Sequence, residues 1–343
     1  MEYRKLGGSG AVVSNLALGA MTFGDEADEA TSRKLMSDYA AAGGNFIDTA
    51  DVYSKGVSEE IVGRWLADHP ADAARMVVTT KARFPMGDGP NDLGLSRVNL
   101  RKALDASLGR LGVDFIDLYQ MHAWDALTPI EETLRFLDDA IGAGKIGYYG
   151  FSNFLGWHLT KAVHVARAGG LAVPVTLQPQ YNLLVRDIEF EIVPAALDAD
   201  IGLLPWSPLG GGWLSGKYKR DQMPAGASRL GEQPERGMEA YAPRNAQERT
   251  WAVLGAVEEV AGRRGCTMAQ VALAWLAARP AVTSVLVGAR NQSQLADNLA
   301  AADISLGDED MAQLNAASAP LHNVYPYGDQ AEKQRHRNIG GGR

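Results

Sequence analysis

Met76-Val77-Val78-Thr79 is a short apolar run that is followed by an amphipathic stretch at 96–111 and a second apolar run at 115–119. Short runs rich in Val, Ile, Leu and aromatic residues, bounded by polar residues or Gly, are typical of buried parallel strands. The stretch between them carries the apolar stripe of a helix that covers a sheet, formed by Val98, Leu100, Leu104, Leu108 and Leu111. Residues 76–119 therefore predict a strand, a helix and a second strand.

The same alternation repeats along the chain. Six further apolar runs lie at 16–18, 45–47, 146–150, 175–177, 201–204 and 284–287, with amphipathic stretches between most of them. Eight strands alternating with helices, without a break in composition, predict an α/β protein with one (β/α)8 TIM barrel over residues 1–343. Two doubly wound domains fit less well, because no G-x-G-x-x-G follows the first strand.

Three segments depart from the alternation. Residues 1–15, with the turn Gly7-Gly8-Ser9-Gly10, predict an N-terminal β-hairpin that caps the N-terminal mouth of the barrel. The stretch 210–245 is rich in Gly, Pro and Arg and predicts a long irregular loop after strand 7, which in a compact domain is usually functional or poorly ordered. Residues 320–343 form a polar C-terminal tail.

Composition excludes several classes of protein. The 343 residues include 33 Lys and Arg against 41 Asp and Glu, a net charge of −8, with 46% hydrophobic and 22% charged residues. These values exclude a disordered or collagen-like chain, and the lack of a dense basic block argues against nucleic acid as a partner. No apolar run approaches the roughly 18–20 residues of a membrane span, and no apolar segment of a signal peptide follows residues 1–5. Since Cys266 is the single cysteine, we expect a cytoplasmic protein without disulfides.

Polar side chains follow three successive predicted strands. Asp48 and Tyr53 follow the second strand, Lys81 the third and His122 the fourth. In a barrel, such positions lie around the active-site mouth. An ammonium group beside a phenol should lower the phenol pKa below its usual value of about 10, and a carboxylate would hold that ammonium in place. The set predicts proton transfer to a developing alkoxide, with the imidazole orienting the substrate oxygen.

Each of these residues also has a structural interpretation. Taken singly, Asp48 fits a helix cap or turn, Tyr53 a packing residue, and Lys81 a solvated charge at the rim. A single histidine such as His122 is more often structural than catalytic. The functional interpretation depends on finding all of them together at consecutive strand ends.

The motifs resemble the aldo-keto reductase family from about Arg4 to about Leu314. The matching segments are Tyr3-Arg4-Lys5-Leu6-Gly7, Leu18-Gly19-Ala20-Met21-Thr22-Phe23-Gly24, Phe46-Ile47-Asp48-Thr49-Ala50-Asp51-Val52-Tyr53, Thr79-Thr80-Lys81 and Asp117-Leu118-Tyr119-Gln120-Met121-His122. The resemblance implies a catalytic tetrad of Asp48, Tyr53, Lys81 and His122, with Tyr53 as proton donor. It extends to bacterial NADP-dependent members and to the potassium-channel β-subunit branch.

The resemblance also implies an extended nicotinamide dinucleotide bound without a Rossmann domain. Ser152, Asn153 and Gln178 match residues that bind the nicotinamide amide, and Trp206 matches the aromatic that stacks on its ring. Pyrophosphate contacts are implied for Ser207, Leu209 and Lys217. The full set of cofactor-binding residues implied by the family is Met21, Asp48, Ser152, Asn153, Gln178, Trp206, Ser207, Pro208, Leu209, Lys217, Gly288, Arg290, Gln294, Asp297 and Asn298.

The segment 287–298 resembles the family's adenosine-phosphate motif. It follows the eighth strand and opens a helix, so that its amides and Arg290 would hold a 2′-phosphate. One common version of the motif has Arg in place of Gln294 and Glu in place of Asp297; forms with Gln occur in other branches. NADP(H) is therefore expected as cofactor, with NAD(H) as the alternative.

Substrate identity is open at this level beyond a small-molecule carbonyl compound, and so is the oligomeric state. An apolar or sugar-stacking wall is expected from residues in loops after strands, namely Met21, Phe23, Phe84, Trp124 and Trp213.

NADPH-dependent reduction of an aldehyde or ketone is the leading hypothesis. A cofactor-binding redox sensor with little turnover is the alternative, although no long segment precedes Tyr3 as it does in channel β subunits. A metal-dependent hydrolase, and a metal site in general, are not expected, because the six histidines show no H-x-H or H-E-x-x-H spacing.

Overall fold

The computed structural model describes residues 1–226, 229–235, 237–320, 325–328 and 334. The predicted tail therefore lies largely outside the described residues, and so do residues 227, 228 and 236 of the predicted loop. All structural statements below refer to the described residues.

Two sheets contain the strands of the described chain. The strands are β1 (Tyr3–Lys5), β2 (Val12–Ser14), β3 (Leu16–Gly19), β4 (Phe46–Asp48), β5 (Val77–Ala82), β6 (Ile116–Met121), β7 (Ile146–Ser152), β8 (Thr176–Gln178), β9 (Gly202–Leu203) and β10 (Val285–Val287). β1 and β2 pair antiparallel, and the other eight are parallel in the order β10-β3-β4-β5-β6-β7-β8-β9. The predicted (β/α)8 barrel and its N-terminal hairpin are confirmed.

Backbone contacts join the two edges of the eight-stranded sheet. The Leu203 amide of β9 donates to Ala281 O at 2.7 Å, and the Thr283 amide donates back to Leu203 O at 2.9 Å. Just beyond β9, Pro205 O accepts from the Leu286 amide of β10 at 3.0 Å. The sheet is thereby curled until its first and last strands lie side by side.

Helices follow most of the barrel strands and cover the outside of the sheet. They are α1 (Glu29–Ala41), α2 (Val57–Asp68), α3 (Pro70–Ala73), α4 (Arg97–Leu111), α5 (Ile130–Gly142), α6 (Gly156–Ala168), α7 (Ile192–Ala199), α8 (Arg229–Glu232), α9 (Tyr241–Asn245), α10 (Glu248–Arg264), α11 (Met268–Ala277), α12 (Gln292–Leu299) and α13 (Asp308–Ala317). Short 3-10 turns occur at Tyr53–Gly56, Asp187–Glu189, Gly210–Ser215, Gly237–Glu239 and Ala300–Asp303.

Helix α4 shows how local sequence sets these elements. The Ser96 side chain caps its first turn by accepting from the Asn99 amide, and Gly112 ends it in a left-handed conformation. Its buried stripe includes the predicted Leu100, Leu104 and Leu111. The prediction was wrong for Val98, which is 51% exposed, because two residues along a helix turn the side chain about 200° away from Leu100.

Strand alternation divides the core into an inner and an outer layer. On β4, Ile47 packs outward among the helices, whereas Phe46 points inward beside Leu6 and Val13 of the hairpin segment. Asp48, two residues beyond Phe46, returns to the inside at the opposite end of the barrel. The hairpin thus packs against the N-terminal end of the interior, and polar groups are gathered at the C-terminal end.

The predicted irregular segment 210–245 is partly helical, since its described residues include two of the 3-10 turns together with α8 and α9. Trp213 forms its centre: the indole stacks on Tyr241 at 5.4 Å and donates to Glu239 O at 3.0 Å. This small core joins residues that are distant in sequence. It orders the segment, although the sequence there shows no helix or strand periodicity.

Within the described chain, none of the helices combines the length and apolar character that a bilayer crossing requires.

Candidate active site

The four predicted catalytic side chains meet at the C-terminal end of the barrel. Lys81 Nζ, fully buried, donates to Asp48 Oδ2 at 2.6 Å and to Tyr53 Oη at 3.1 Å. It also donates to the carbonyl of Thr49 at 2.9 Å. The His122 ring stands edge-on to the Tyr53 ring, with 5.8 Å between centroids. Residues from three separate strand ends therefore surround one phenol, as the sequence predicts.

Two buried amides hold the carboxylate of Asp48. Gln178 Nε2 lies 2.9 Å from Asp48 Oδ1, and Gln120 Nε2 lies 3.4 Å from the same oxygen. Gln120 is itself fixed by a hydrogen bond to Thr79 Oγ1 at 3.0 Å. The role of Gln120 was not predicted, although its inward position on β6, two residues before His122, follows from strand alternation.

The pKa of Tyr53 departs from its ordinary value in the direction opposite to our prediction. Burial raises the pKa of the phenol above 10, and the ammonium of Lys81 opposes this without overcoming it. The expected lowering is therefore wrong, because desolvation of the phenolate outweighs one nearby positive charge. At neutral pH the phenol keeps its proton, which suits a group that donates one.

The neighbouring cation and imidazole are perturbed as well. Burial opposes the charge on Lys81, but the Asp48 carboxylate and Tyr53 outweigh it and raise the Lys81 pKa. Burial, followed by the charges of Lys81 and Arg83, lowers the pKa of His122 well below its usual range. Tyr53 thus stands between a permanent cation and a neutral imidazole.

A cleft of about 610 Å³ opens from this centre across the end of the barrel. Its volume lies within the range of small-molecule and cofactor sites. Tyr53 and His122 line it, whereas Lys81 lies behind them. The structure brings every predicted cofactor-binding residue to its walls: Met21, Asp48, Ser152, Asn153, Gln178, Trp206, Ser207, Pro208, Leu209, Lys217, Gly288, Arg290, Gln294, Asp297 and Asn298.

Near the tetrad, hydrogen bonds fix the walls of the cleft. Asn153, held in a left-handed conformation with φ of 55°, donates from Nδ2 to the carbonyl of His122 at 2.9 Å. Its Oδ1 accepts from Trp206 Nε1 at 3.0 Å. Ser152 Oγ donates to Gln178 O at 2.9 Å. One asparagine therefore positions both the histidine segment and the indole predicted to stack on a nicotinamide.

The opposite part of the cleft is cationic. Burial, then the charges of Arg290 and Arg229, lowers the pKa of Lys217. Arg290 donates from Nε to Glu26 Oε2 at 2.6 Å and lies 3.4 Å from Glu232 Oε1. Its Nη2 is buried without a hydrogen-bond partner among the described residues. Three basic groups with an unsatisfied guanidinium nitrogen suit the phosphates of a dinucleotide.

At the far end, α12 contributes the residues expected to face ribose and adenine. Asp297 accepts hydrogen bonds from Gln270 Nε2 at 2.7 Å and from Thr267 Oγ1 at 3.2 Å. Asn298 Nδ2 donates to Gly288 O at 3.2 Å, and Gln294 Oε1 accepts from the Arg290 amide at 2.9 Å. The residues present therefore fit a dinucleotide along the length of the cleft.

The expected apolar substrate wall is only partly present. Phe23 and Trp213 are fully buried, so their assignment to the wall is wrong; each packs in the core instead. Met21 lines the cleft. Phe84 is not among the lining residues, although its ring lies 4.7 Å from the ring of His122, which does line the cleft. Trp124 does not line the cleft either. Its ring stacks on the imidazole of His158, with 4.1 Å between ring centroids.

Several residues that line the cleft were not predicted, namely Thr22, Glu26, Gln180, Arg229 and Glu239. Arg229 and Glu239 belong to the part of the segment 210–245 that follows Lys217, where the family resemblance marks no position. Gln180 Nε2 donates to Glu239 Oε1 at 2.5 Å, which ties that segment to the strand-end loop after β8.

Comparison with known proteins matches residues 15–319 to the model of the aldo/keto reductase family. The chain belongs to the aldo/keto reductase family. It is 38% identical over 323 residues to an uncharacterized oxidoreductase, YrpG, of Bacillus subtilis, covering 92% of this chain and 95% of that protein.

Other relatives carry more specific names. A probable voltage-gated potassium channel subunit beta of Oryza sativa is 38% identical, covering 89% of this chain and 92% of its own. Versiconal hemiacetal acetate reductase of Aspergillus parasiticus is 33% identical, and the match covers 93% of this chain and 98% of that protein. This aldo/keto reductase is therefore an oxidoreductase, in a family that acts on small-molecule carbonyl compounds with nicotinamide cofactors.

Proposed function

We propose that this aldo/keto reductase reduces an aldehyde or ketone to the alcohol, reversibly, with NADPH and with Tyr53 as proton donor. Lys81 Nζ supports this proposal most directly, because it lies 2.6 Å from Asp48 Oδ2 and 3.1 Å from Tyr53 Oη. A cation held in that position stabilises negative charge on the phenol oxygen at the moment its proton leaves.

The cofactor supplies hydride to the carbonyl carbon, and the remaining steps belong to the protein. Tyr53 presents a protonated phenol to the cleft and transfers its proton to the carbonyl oxygen as charge develops there. His122, neutral because burial and two nearby cations lower its pKa, hydrogen-bonds the same oxygen and orients it. In the reverse direction the phenolate, stabilised by Lys81, accepts the proton from the alcohol.

The preference for NADPH over NADH is proposed from the cationic end of the cleft. Arg290 follows β10 at the start of α12, and its Nη2 has no hydrogen-bond partner among the described residues. A 2′-phosphate would satisfy that nitrogen by a charge-assisted hydrogen bond, which a ribose hydroxyl does less strongly. Lys217 and Arg229 would then face the pyrophosphate.

A regulatory role is the second candidate, favoured by the names of the channel-subunit relatives from Oryza sativa and Arabidopsis thaliana. A redox-sensing subunit would bind the same cofactor and turn over slowly. Steady NADPH oxidation with 4-nitrobenzaldehyde, well above the rate without substrate, supports the enzyme, whereas binding without such turnover supports the subunit. A cytoplasmic location is proposed with either role, from the single cysteine and the acidic composition.

Substitution of Tyr53 tests the mechanism. Tyr53→Phe should lower kcat by about 10²-fold or more, the usual contribution of a positioned general acid, while NADPH still quenches tryptophan fluorescence. Tyr3→Phe is the matched control, since that phenol donates to Gly43 O on the surface of the hairpin. Retention of most of the activity by Tyr53→Phe would refute Tyr53 as donor.

Substitution of Arg290 tests the cofactor preference. Arg290→Gln should raise the KM for NADPH by about 10-fold or more and leave that for NADH nearly unchanged, because one charge-assisted contact is lost. Initial rates at 340 nm with both cofactors measure this directly. If the unaltered enzyme works better with NADH, the assignment of Arg290 is wrong.

A further inference from the structure

A strained arginine lies beside the catalytic histidine, outside the predicted tetrad. Arg83 directly follows β5, and its φ of 152° falls in a region that is essentially reserved for glycine. Backbone strain of this kind persists where the surrounding structure enforces it, and it is concentrated at ligand-binding and catalytic sites. The strain therefore points to a role of Arg83 in binding or catalysis.

The guanidinium of Arg83 is unusually poor in partners. Its Nε is buried and has no hydrogen-bond partner among the described residues, and no carboxylate of the described chain lies within salt-bridge distance. Burial opposes the charge on the Asp125 carboxylate, but its hydrogen bonds, with a smaller contribution from the charge of Arg83, lower its pKa. That carboxylate, however, already accepts from Thr128 Oγ1 and from the amides of Leu95 and Leu127. A buried guanidinium nitrogen without a partner loses the hydration that it has in water, so an anionic ligand would relieve a real deficit.

Phe84 connects this cation to the catalytic centre. Arg83 Cζ lies over the Phe84 ring at 5.2 Å from the centroid, and the same ring meets the His122 imidazole at 4.7 Å. The Phe84 ring is thus in contact with both the guanidinium and the imidazole. The positive charge reaches the imidazole, since Arg83 contributes to the lowered pKa of His122.

We propose that Arg83 is a specificity-determining residue that binds the carboxylate of the substrate, so that the preferred substrates are aldehydes carrying a carboxylate across a short apolar spacer. The inference rests on the proposed carbonyl reduction. With the carbonyl at Tyr53 and His122, the spacer would lie along the Phe84 ring and the carboxylate would meet the planar guanidinium, whose donors match a carboxylate in pairs.

A pair of substrates that differ in charge tests the proposal. 4-Carboxybenzaldehyde and methyl 4-formylbenzoate have the same aldehyde and the same ring, and only the first carries a negative charge. The unaltered enzyme should favour the acid in kcat/KM by about 10-fold or more, as expected for a charge-assisted contact. Arg83→Gln should remove that preference by raising the KM for the acid. Its kcat/KM for the ester should stay within about 3-fold of the value for the unaltered enzyme. Arg83→Lys should retain part of it, because the charge remains and the paired geometry is lost.

Arg101→Gln is the matched control, since Arg101 lies exposed on α4 and its loss changes the net charge equally. Calorimetric titration with 4-(hydroxymethyl)benzoate, in the presence of NADP⁺, measures the same contact without turnover. Weaker binding to Arg83→Gln than to Arg101→Gln supports the proposal. Equal binding, or an equal loss of kcat/KM for acid and ester, overturns it. Absence of turnover with both aldehydes would contradict the proposed function, and the titration would still decide the role of Arg83.

Discussion

Asp51 should make the protein less stable as pH rises from 5 to 8, and Asp51→Asn should remove that dependence. Asp51 is 1% exposed, and its Oδ1 has no hydrogen-bond partner among the described residues. The fully buried Glu59 stands nearby and is held by Arg110 Nε and Thr80 Oγ1, both at 2.6 Å. Burial, followed by the charge of Glu59, raises the pKa of Asp51 from 3.8 to about 7. Arg110 and Lys81 oppose this rise.

The direction in which stability changes with pH follows from proton binding. Between the unfolded pKa of 3.8 and the folded pKa of about 7, the folded protein holds more protons than the unfolded chain. Stability is therefore highest at low pH and is lost as pH rises towards the folded value. At about 1.4 kcal/mol per pKa unit, the full effect is about 4 kcal/mol, of which roughly 2.5 kcal/mol falls between pH 5 and 8.

Urea unfolding, followed by tryptophan fluorescence at pH 5 and pH 8, measures this effect. The free energy of unfolding of Asp51→Asn, relative to the unaltered protein, should increase by roughly 2.5 kcal/mol between the two pH values. Any loss of stability that the asparagine amide causes equally at both pH values cancels in that comparison. Glu60→Gln is the control, because Glu60 is the neighbour of Glu59 on α2 and forms a partly exposed pair with Arg64 at 3.5 Å. A difference between Asp51→Asn and the unaltered protein that does not change with pH would refute the reasoning.

Two further substitutions test the packing that supports the site. Arg110→Met should lower the free energy of unfolding by about 3–5 kcal/mol, because it leaves the fully buried carboxylate of Glu59 without its cation. Urea unfolding measures the loss, and recovery in the double variant with Glu59→Gln is expected. Gly150→Ala should cost about 1–3 kcal/mol, because the new Cβ would lie 2.0 Å from Thr176 Oγ1 between β7 and β8. Gly109→Ala, whose Cβ meets nothing within 4 Å, is the control in thermal unfolding, and equal melting temperatures would contradict the clash.

Much of the fold could be predicted because local sequence patterns determine its strands and helices. Short apolar runs give strands, and the stripe through Leu100, Leu104 and Leu111 gives the helix between two of them. The exposure of Val98 shows the limit of such counting, since a stripe read too broadly takes in residues on the other face. The segment 210–245 shows another limit, because its core of Trp213 and Tyr241 joins residues without any common period.

The candidate site, too, could be predicted only in part. The positions of Asp48, Tyr53, Lys81 and His122 after strands could be predicted, and so could their convergence, because parallel strands all end on one side of a barrel. The direction of the Tyr53 pKa could not be predicted, because it depends on how much water burial removes from the phenol.

Local patterns in the chain set the order of the elements, the face on which the polar side chains emerge and the chemical groups available there. The packing of the whole chain sets which of these groups lie within a few ångströms of one another. It brings Glu26 to Arg290, and it places Phe84 in contact with both Arg83 and His122. Periodicity and strand order are properties of neighbouring residues. Distance, burial and electrostatic balance instead arise where segments far apart in the chain pack together.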